Sequence, residues 1–197
     1  MPLSASPDTS HRRRLLDAMV ESVARKGYAD TTIADLAAIA RVSRRTFYEH
    51  FATKEECLIA LYEAASKQAL AVLRDALDPS HDPLTQAEQA LNAYLATMAS
   101  NPALLKTLFV AILGLGPTGL QARRRVNRQL ADFIVEVVNR PHDGAQHPPL
   151  TEALATSIVG GIHELVLQKV EQDRVDELPE LTAATAQFVR AVVYGPR

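Results

Sequence analysis

The amino-acid sequence predicts an all-α fold of about nine helices, and three observations carry that prediction. Alanine and leucine, which both favour helix, dominate a chain of 197 residues that is 47% hydrophobic. Apolar residues recur at helical spacing, whereas alternating, strand-like patterns do not persist. Stretches rich in Pro, Gly and Asp separate the periodic segments, as in DPSHDP at 78–83 and NRPHDGAQHPP at 139–149.

The first helix is predicted over about 12–26, with Thr9 or Ser10 as its N-cap and Gly27 at its end. The three consecutive arginines at 12–14 then fall in its first turn, where cations oppose the helix macrodipole by roughly a few tenths of a kcal/mol each. An external anion would relieve that cost. The alternative is three arginines that are simply solvated.

Two short helices joined by a tight turn are predicted next. Thr32 and Asp35 have capping-box spacing at the start of the segment 32–40, and Ser43 is the predicted N-cap of the following helix. This is the sequence shape of a helix-turn-helix, whose second helix enters the major groove of DNA. Later helices are predicted over 54–77, 84–100, 102–113, 118–138, 150–171 and 180–194.

The stretch RVSRRTFYEHF at 41–51 combines cations and hydroxyls with a small apolar stripe. Val42, Phe47 and Phe51 are expected to pack this helix against its neighbours. The N-terminal side chains would then face base edges in the groove, and they are Arg44, Arg45 and Thr46. Side chains suited to phosphate oxygens are Ser43, Tyr48, His50 and Lys54, with backbone donors at the helix N-termini beginning at Thr32 and Ser43.

Charge supports nucleic-acid contact at one end of the chain. The whole sequence has a net charge of −2, with an isoelectric point near 6.3. The segment from Arg12 to Lys54 contains nine Lys or Arg and five Asp or Glu, a net charge of +4. The segment from Glu55 onward contains twelve Lys or Arg and seventeen Asp or Glu, a net charge of −5. A small basic module followed by a larger acidic one is typical of a protein that contacts nucleic acid through its basic end.

The remaining bulk features favour a cytoplasmic protein. The single cysteine, Cys57, has no intrachain disulfide partner, which fits a reducing compartment. The N-terminus lacks the apolar run of a secretory signal, and no apolar run approaches the ~18 residues of a membrane span. The first ten residues, with two Pro and three Ser, are predicted to form a flexible arm.

The stretch GYADTTIADLAAIARVSRRTFYEHFATKEE at 27–56 strongly resembles the DNA-binding head of the TetR family of bacterial transcriptional regulators. The matching positions are Gly27-Tyr28, Thr31-Thr32, Val42-Ser43, Thr46-Phe47-Tyr48, Phe51 and Lys54-Glu55. The resemblance implies that Thr32, Ser43, Tyr48, His50 and Lys54 hold the DNA backbone, while Arg44, Arg45 and Thr46 face the bases. Arg41 departs from the family, which often has glycine in this turn. If the position needs a positive φ, arginine adds roughly 1 kcal/mol of strain, and a phosphate contact by Arg41 would be the compensation.

The resemblance also implies a domain plan and a mechanism. The expected division is an arm at 1–10, a helix-turn-helix domain at 11–53, and a ligand-binding and dimerisation body at 54–197. The expected function is repression: a homodimer binds a palindromic operator in double-stranded DNA and is released by a small-molecule inducer. The two alternatives from other classes are a helical protein-interaction module and an all-α enzyme that uses the body cavity.

The last two predicted helices carry an apolar stripe that the resemblance assigns to a four-helix dimer bundle. The stripe includes Leu154, Ile158, Gly161, Ile162, Leu165, Leu181, Phe188 and Val192. Gly160-Gly161 within a helix costs roughly 1 kcal/mol per glycine relative to alanine, which close helix approach would offset. The alternative is that the stripe forms only the core of one chain.

The other body helices, the fourth to the seventh, are expected to enclose the effector cavity. Polar or aromatic residues within otherwise apolar helices are its candidate lining, namely Tyr62, Tyr94, Phe109, Asn127 and His163. For each of them an ordinary core or surface position is the alternative. Since the body is not notably cationic, an apolar or aromatic effector is favoured.

Other motifs do not predict an enzyme, a metal or a cofactor. GLGPTG at 114–119 matches the dinucleotide-binding pattern, but the residues before it have helical rather than strand spacing, so a break between two helices is expected. His142 and His147 share a Pro-rich loop without further metal ligands. No nucleophile elbow or paired-carboxylate motif is present, so no catalytic residue is predicted.

Overall fold

The computed structural model describes residues 7–140 and 148–195, and within these ranges it contains nine α-helices and no β-strand. The predicted all-α class is therefore confirmed. The helices are α1 Pro7–Asp30, α2 Ile33–Ala40, α3 Arg44–His50, α4 Lys54–Asp75, α5 Pro83–Ala99, α6 Pro102–Lys106, α7 Pro117–Val138, α8 Glu152–Glu171 and α9 Thr182–Tyr194. A π-helical turn at Thr107–Ala111 and short 3₁₀ segments at Leu113–Leu115 and Val175–Leu181 complete the description.

The first helix begins earlier than predicted. α1 starts at Pro7, so Thr9 and Ser10 lie inside the helix and do not cap it. The arginines at 12–14 consequently lie beyond the first turn, where the macrodipole effect has faded, and the argument for an external anion at that helix end was wrong. Of the predicted arm, residues 7–10 are helical and residues 1–6 lie outside the described part of the chain. Gly27 interrupts α1 as expected, with φ 81° and ψ 163°.

The chain forms two compact units. The first contains Met1–Ala65 and Ala103–Ala122, and the second contains Ser66–Pro102 and Arg123–Arg197. The division does not coincide with the predicted one at 53/54, because α4 and α7 each run through both units without interruption. The functional division into head and body therefore remains a proposal.

The core of the first unit holds α2 and α3 against α1. Leu15 and Met19 of α1, Leu36 of α2, Phe47 of α3 and Leu58 of α4 are fully buried. Cys57 is buried too, and this burial raises its pKa to about 12. Its Sγ lies 3.9 Å from the carbonyl oxygen of Leu15. The cysteine is thus a small core residue that stays protonated.

The segment predicted as one helix over 102–113 is broken into α6, the π turn and a 3₁₀ turn. Gly116 has φ 59°, and a Cβ on Gly119 would lie 1.8 Å from the carbonyl oxygen of Ile112. Gly119 is therefore required where the first turn of α7 packs on the preceding turn. The GLGPTG stretch is a break between helical segments, and the strand that a dinucleotide fingerprint needs does not precede it.

The second unit is organised by α5, α8 and α9. Thr151 caps α8 by accepting a hydrogen bond from the N–H of Leu154. Asn139 fastens the chain just ahead of α8, because its side-chain amide donates to the carbonyl of Leu150 at 3.0 Å and accepts from the N–H of Leu150 at 2.8 Å. Among the described helices, no single one is long and apolar enough to cross a membrane. Pro83–Ala99 and Pro102–Leu115 reach that length and apolarity only as a bent pair.

Candidate nucleic-acid interface and effector cavity

The start of α2 is fixed by the predicted capping box. The N–H of Asp35 donates to Oγ1 of Thr32 at 3.2 Å, and the N–H of Thr32 donates to the Asp35 carboxylate at 2.8 Å. The ammonium of Lys26 lies 2.6 Å from the same carboxylate. The hydrogen bonds from Lys26 and Thr32 hold the pKa of Asp35 below its ordinary value. The Thr32 hydroxyl is therefore already hydrogen-bonded to Asp35. Its predicted phosphate contact would require that hydrogen bond to be replaced.

The turn between α2 and α3 is a Schellman motif with arginine at its left-handed position. The N–H of Val42 donates to the carbonyl of Ala37 at 2.9 Å, and the N–H of Arg41 donates to that of Ala38 at 3.1 Å. Arg41 has φ 54° and ψ 50°, a conformation that favours glycine. The strain expected at Arg41 from the sequence is thus present in the structure.

The recognition-helix candidate α3 exposes the residues predicted to read bases. Ser43 caps it by accepting from the N–H of Thr46 at 3.0 Å. Arg44 is exposed, and the side chain of Arg45 is 90% exposed while lying 3.3 Å from the Glu49 carboxylate. Thr46 is half-buried, with its hydroxyl 2.9 Å from that of Ser43. The two arginines are therefore the most accessible of the three predicted base readers.

The apolar residues of α3 face inward as predicted. Phe47 is fully buried and Phe51 is 2% exposed, while Val42 is half-buried. The guanidinium carbon of Arg12 lies 5.3 Å from the centre of the Phe51 ring, so an arginine of α1 covers the end of α3. Arg12 therefore lies beside the end of α3, a position that the sequence did not predict.

The predicted phosphate ligands differ in accessibility. Tyr48 is 58% exposed, and its ring meets that of Phe47 edge-on. His50 is half-buried, with its ring 6.4 Å from that of His11. The ammonium of Lys54 lies within 3.4 Å of three carbonyl oxygens, those of Tyr28, Ala29 and Thr31, and 4.3 Å from the centre of the Tyr28 ring. Lys54 therefore ties the turn between α1 and α2, and its phosphate contact stays a prediction.

An apolar cavity of about 110 Å³ lies in the second unit. Its walls come from α4, α5, α7 and α8, with Val189 of α9, and every lining residue apart from Tyr94 and His163 is apolar. The two polar side chains are buried, and the Tyr94 hydroxyl lies 2.9 Å from Nε2 of His163. Burial, with a smaller effect of the Arg123 charge, lowers the pKa of His163 to about 4, so the imidazole is neutral near pH 7.

Two of the five predicted effector residues, Tyr94 and His163, line this cavity. The other three do not. Tyr62 and Phe109 belong to the first compact unit, and Asn127 of α7 is absent from the cavity wall. α6, which was expected to form part of the wall, also belongs to the first unit.

A wider cleft of about 710 Å³ adjoins the cavity. The two share six lining residues: Leu77, Ala87, Phe133, Val137, Val138 and Val189. Its rim carries charged side chains that the sequence analysis did not single out, namely Arg74, Glu136, Arg140 and Arg190. Arg74 lies in the last turn of α4, Arg140 just after α7 and Arg190 within α9, so only the fold brings these three arginines together.

Residues 15–61 match the profile of the family described as "Bacterial regulatory proteins, tetR family". That range contains the capping box, the turn and the whole of α3. This DNA-binding domain belongs to the TetR family. The chain is therefore a transcriptional regulator, the function class expected from the sequence.

Two regulators of Bacillus subtilis (strain 168) and one solved structure are similar to this chain. The "Uncharacterized HTH-type transcriptional regulator YxbF" of Bacillus subtilis (strain 168) is 33% identical over 91 residues, which are 46% of this chain but only 23% of that protein. The "Fatty acid metabolism regulator protein" of the same organism is 23% identical over 187 residues, covering 92% of this chain and 95% of the relative. The crystal structure of the regulator FadR from Bacillus subtilis in complex with stearoyl-CoA has a TM-score of 0.73 and 19% identity, with 94% of this chain and 99% of that one covered.

The predicted dimer stripe divides into two faces of α8 and α9. Ile158 and Ile162 are buried within the single chain and line the cavity, so they lie on the inward face. The outward residues include Leu154, 44% exposed, and Phe188, 39% exposed. The others, Gly161, Leu165, Leu181 and Val192, are half-buried in the single chain. A Cβ on Gly161 would lie 3.2 Å from Cε1 of Phe188, whereas one on Gly160 would meet nothing within 4 Å, so only Gly161 serves close helix approach.

No group of three or more His, Cys, Asp or Glu side chains suited to a metal ion occurs within 7–140 and 148–195. His142 and His147, whose spacing was weighed above, lie outside the described residues.

Arg45→Ala is expected to relax sequence preference at one base position, by roughly 1–3 kcal/mol, because a bidentate arginine contact to guanine is lost. The measurement is the consensus selected from a random DNA pool by the variant and by the original protein. Arg25→Ala is the matched control, since Arg25 is also an exposed arginine of the first unit paired with a glutamate four residues away, at 3.6 Å. An unchanged consensus for Arg45→Ala would remove its base-reading role.

Arg41→Gly is expected to stabilise the protein while weakening operator binding. Relief of the left-handed conformation contributes roughly 1–2 kcal/mol, and the greater chain entropy of unfolded glycine removes about 0.4–1, leaving about 0.5–1 kcal/mol. Thermal unfolding and operator titration measure the two effects.

Asp173→Gly provides the control for that change. Asp173 has the same φ of 54°, and it ends α8 in the same pair of hydrogen bonds: its N–H donates to Val170, and the N–H of Arg174 donates to Lys169. Asp173→Gly should stabilise the protein less than Arg41→Gly does, because aspartate tolerates this conformation better than arginine. It should leave DNA affinity unchanged. If Arg41→Gly also left DNA affinity unchanged, Arg41 would have no phosphate contact.

Proposed function

We propose that the chain is a cytoplasmic TetR-family repressor that binds a palindromic operator as a homodimer and is released by a small-molecule effector with an apolar chain. The observation that carries the proposal is the display of Arg44 and Arg45 at the capped N-terminus of α3. These two side chains are exposed, while the other side of the helix is held by the buried Phe47.

The DNA-binding part of the proposal follows from the geometry of α3. The N-terminal residues of a recognition helix reach base edges, and arginine is the side chain that bonds guanine bidentately. The exposed Tyr48 and the backbone donors at the start of α2 and α3 are suited to phosphates on either side of the groove. This division of roles gives both sequence preference and a fixed register.

Dimerisation is supported by the outward face of α8 and α9. Leu154 and Phe188 are large, apolar and exposed, and Gly161 lets the Phe188 ring lie close to α8. A second copy pairing on this face would bury these side chains and place two recognition helices on one DNA duplex. Two-fold symmetry in the protein then requires a palindromic operator, with half-sites roughly 34–36 Å apart or a multiple of that.

The effector part rests on the cavity. Its volume of about 110 Å³ approaches that of an engineered apolar cavity of about 150 Å³ that stays dry and binds benzene. Its apolar wall suits a hydrocarbon segment. The fatty acid metabolism regulator and the stearoyl-CoA complex of FadR among the similar proteins support an acyl chain as that segment.

Two helices provide the path by which an effector would act on the head. α4 contributes Leu73 to the cavity wall, Leu77 follows just after its end, and its first half belongs to the unit that contains α1–α3. α7 contributes Phe133 and Val137, and its first turns belong to that same unit. We infer that the effector favours a body conformation in which the two heads are wrongly spaced. It shifts the equilibrium only by its difference in affinity between the two states.

Selection of bound DNA from a random pool tests this proposal. The expected result is a palindromic consensus, bound by a particle of about twice the 21.5 kDa chain mass at micromolar concentration. The complex should dissociate when an acyl compound is added. A consensus without two-fold symmetry, or a monomeric particle, would contradict the homodimer, and an absence of any selected sequence would contradict operator recognition.

A further inference from the structure

We propose that the cleft beside the cavity binds the anionic head of an amphipathic acyl effector, whose hydrocarbon tail enters the cavity first. This inference rests on the proposed function, and it adds the orientation of the effector and the side chains that recognise its charge. The chemistry shared by the possible ligands is a hydrocarbon chain carrying an anionic group. That group is either the carboxylate of a free fatty acid or the phosphates of a coenzyme A thioester.

The cavity and the cleft adjoin each other along a shared apolar wall. Ala87, Phe133 and Val137 each line both, so a hydrocarbon chain that reaches from one to the other would contact apolar side chains there. The cavity end is lined by buried residues such as Ala90, Ile158 and Ile162. The cleft end carries exposed residues such as Pro79 and Arg140. Together the two spaces have the size of an ordinary ligand pocket, which holds roughly 300–1,000 Å³.

The cavity end excludes a charged group. Its only polar side chains, Tyr94 and His163, are hydrogen-bonded to each other, and His163 is buried and neutral. The Arg123 charge acts on His163 but does not line the cavity, so an anion placed there would lose its hydration without a cation in contact with it, which is strongly unfavourable. The head of an amphipathic ligand must therefore lie at the other end.

The rim of the cleft offers a surplus of positive charge. Arg74 and Arg140 both lie near the single carboxylate of Glu136, at 3.9 Å and 2.5 Å. Arg190 adds a third guanidinium and makes no ion pair with any of the described residues, and His81, 3.8 Å from Asp78, also borders the cleft. Three arginines against one glutamate leave the lining with an excess of two charges when His81 is neutral, and guanidinium groups are well suited to carboxylate or phosphate.

Arg74 links the charged rim to the apolar wall. Its guanidinium carbon lies 5.6 Å from the centre of the Phe133 ring, and Phe133 lines both the cavity and the cleft. The cation is thereby positioned at the boundary between the apolar and charged parts of the site. A ligand whose anionic group directly follows its hydrocarbon chain matches this arrangement.

The volume of the cavity limits the tail. As long as each added methylene enters apolar space, affinity should rise roughly fourfold per methylene. Because the cavity holds only about 110 Å³, the rise should level off once the tail has filled it. Ala90 lines the cavity but not the cleft, so Ala90→Leu should move the levelling point to shorter chains without changing the preference for an anionic head.

Isothermal titration calorimetry of the full chain tests the proposal. The ligands are saturated acyl-CoA thioesters and free fatty acids of 6–18 carbons, decan-1-ol as the neutral partner, and coenzyme A without a chain. All are used below their micelle concentrations. Decanoyl-CoA or decanoate should bind more tightly than decan-1-ol, and coenzyme A alone should bind weakly. A preference for the thioester identifies the phosphates as the recognised head, and equal binding of acid and thioester identifies a single anionic group.

Charge variants with opposite expected signs separate recognition from damage to the fold. Arg190→Gln should weaken binding of the anionic ligands roughly tenfold and leave decan-1-ol unaffected. Glu136→Gln should strengthen anion binding roughly two- to fivefold, because the competing carboxylate is removed. Arg124→Gln, an exposed arginine of α7 outside the lining of the cleft, is the matched control and should change nothing.

The outcomes distinguish this inference from the function on which it rests. If decan-1-ol binds as tightly as decanoate and releases the operator, while the charge variants bind all ligands alike, the anionic-head site is wrong and the apolar effector stands. If no acyl compound binds or releases operator DNA, both the head site and the acyl effector are wrong.

Discussion

The burial of Phe47 against α1 is the constraint on which the arrangement of the DNA-binding head depends. α3 has only seven residues, too few to be stable by itself, so its direction is set by what it buries. With Phe47 fixed in the core, Arg45, two positions earlier at about 100° per residue, must lie on nearly the opposite side of the helix. Phe51 and the Arg12 guanidinium over its ring hold the other end of α3. The exposure of the predicted base readers is therefore a consequence of core packing.

The turn between α2 and α3 contains a residue in an unfavourable backbone conformation, next to the predicted base readers. Arg41 is held in the left-handed region by the two hydrogen bonds of a Schellman motif, where glycine would be relaxed. The same motif closes α8 at Asp173, so the geometry alone does not require a DNA contact. What distinguishes Arg41 is its exposed charge beside Ser43 and α3, where a phosphate of bound DNA would lie.

The helices of the DNA-binding head could be predicted from local sequence signals. The arrangement of side chains in the body could not, because it depends on tertiary contacts. The capping box of Thr32 and Asp35 and the N-cap Ser43 involve residues three positions apart, and such spacing is readable directly. The predicted stripe on α8 combines residues of two faces because that helix is apolar on both. Ile158 and Ile162 belong to the inward one, and helical period alone does not say which face meets the core.

The cavity was harder still to foresee, because it is a space left where five helices converge. Its polar pair, Tyr94 and His163, joins positions 69 apart in sequence. The arginines of the cleft are also far apart along the chain, and each looks like an ordinary surface residue until the fold places them on one rim. The break at 114–119 was expected from its Gly and Pro residues, but the π turn at Thr107–Ala111 was not, because the apolar spacing there suits a regular helix.

Methylation interference on the selected operator tests the central claim, that α3 reads bases from the major groove, most directly. Dimethyl sulfate marks guanine at N7 in the major groove and adenine at N3 in the minor groove, and arginine recognises guanine through O6 and N7. Methylated guanine in each half-site is expected to block binding, at symmetry-related positions, while methylated adenine is not. Interference confined to adenine, or none at any guanine, would contradict the claim.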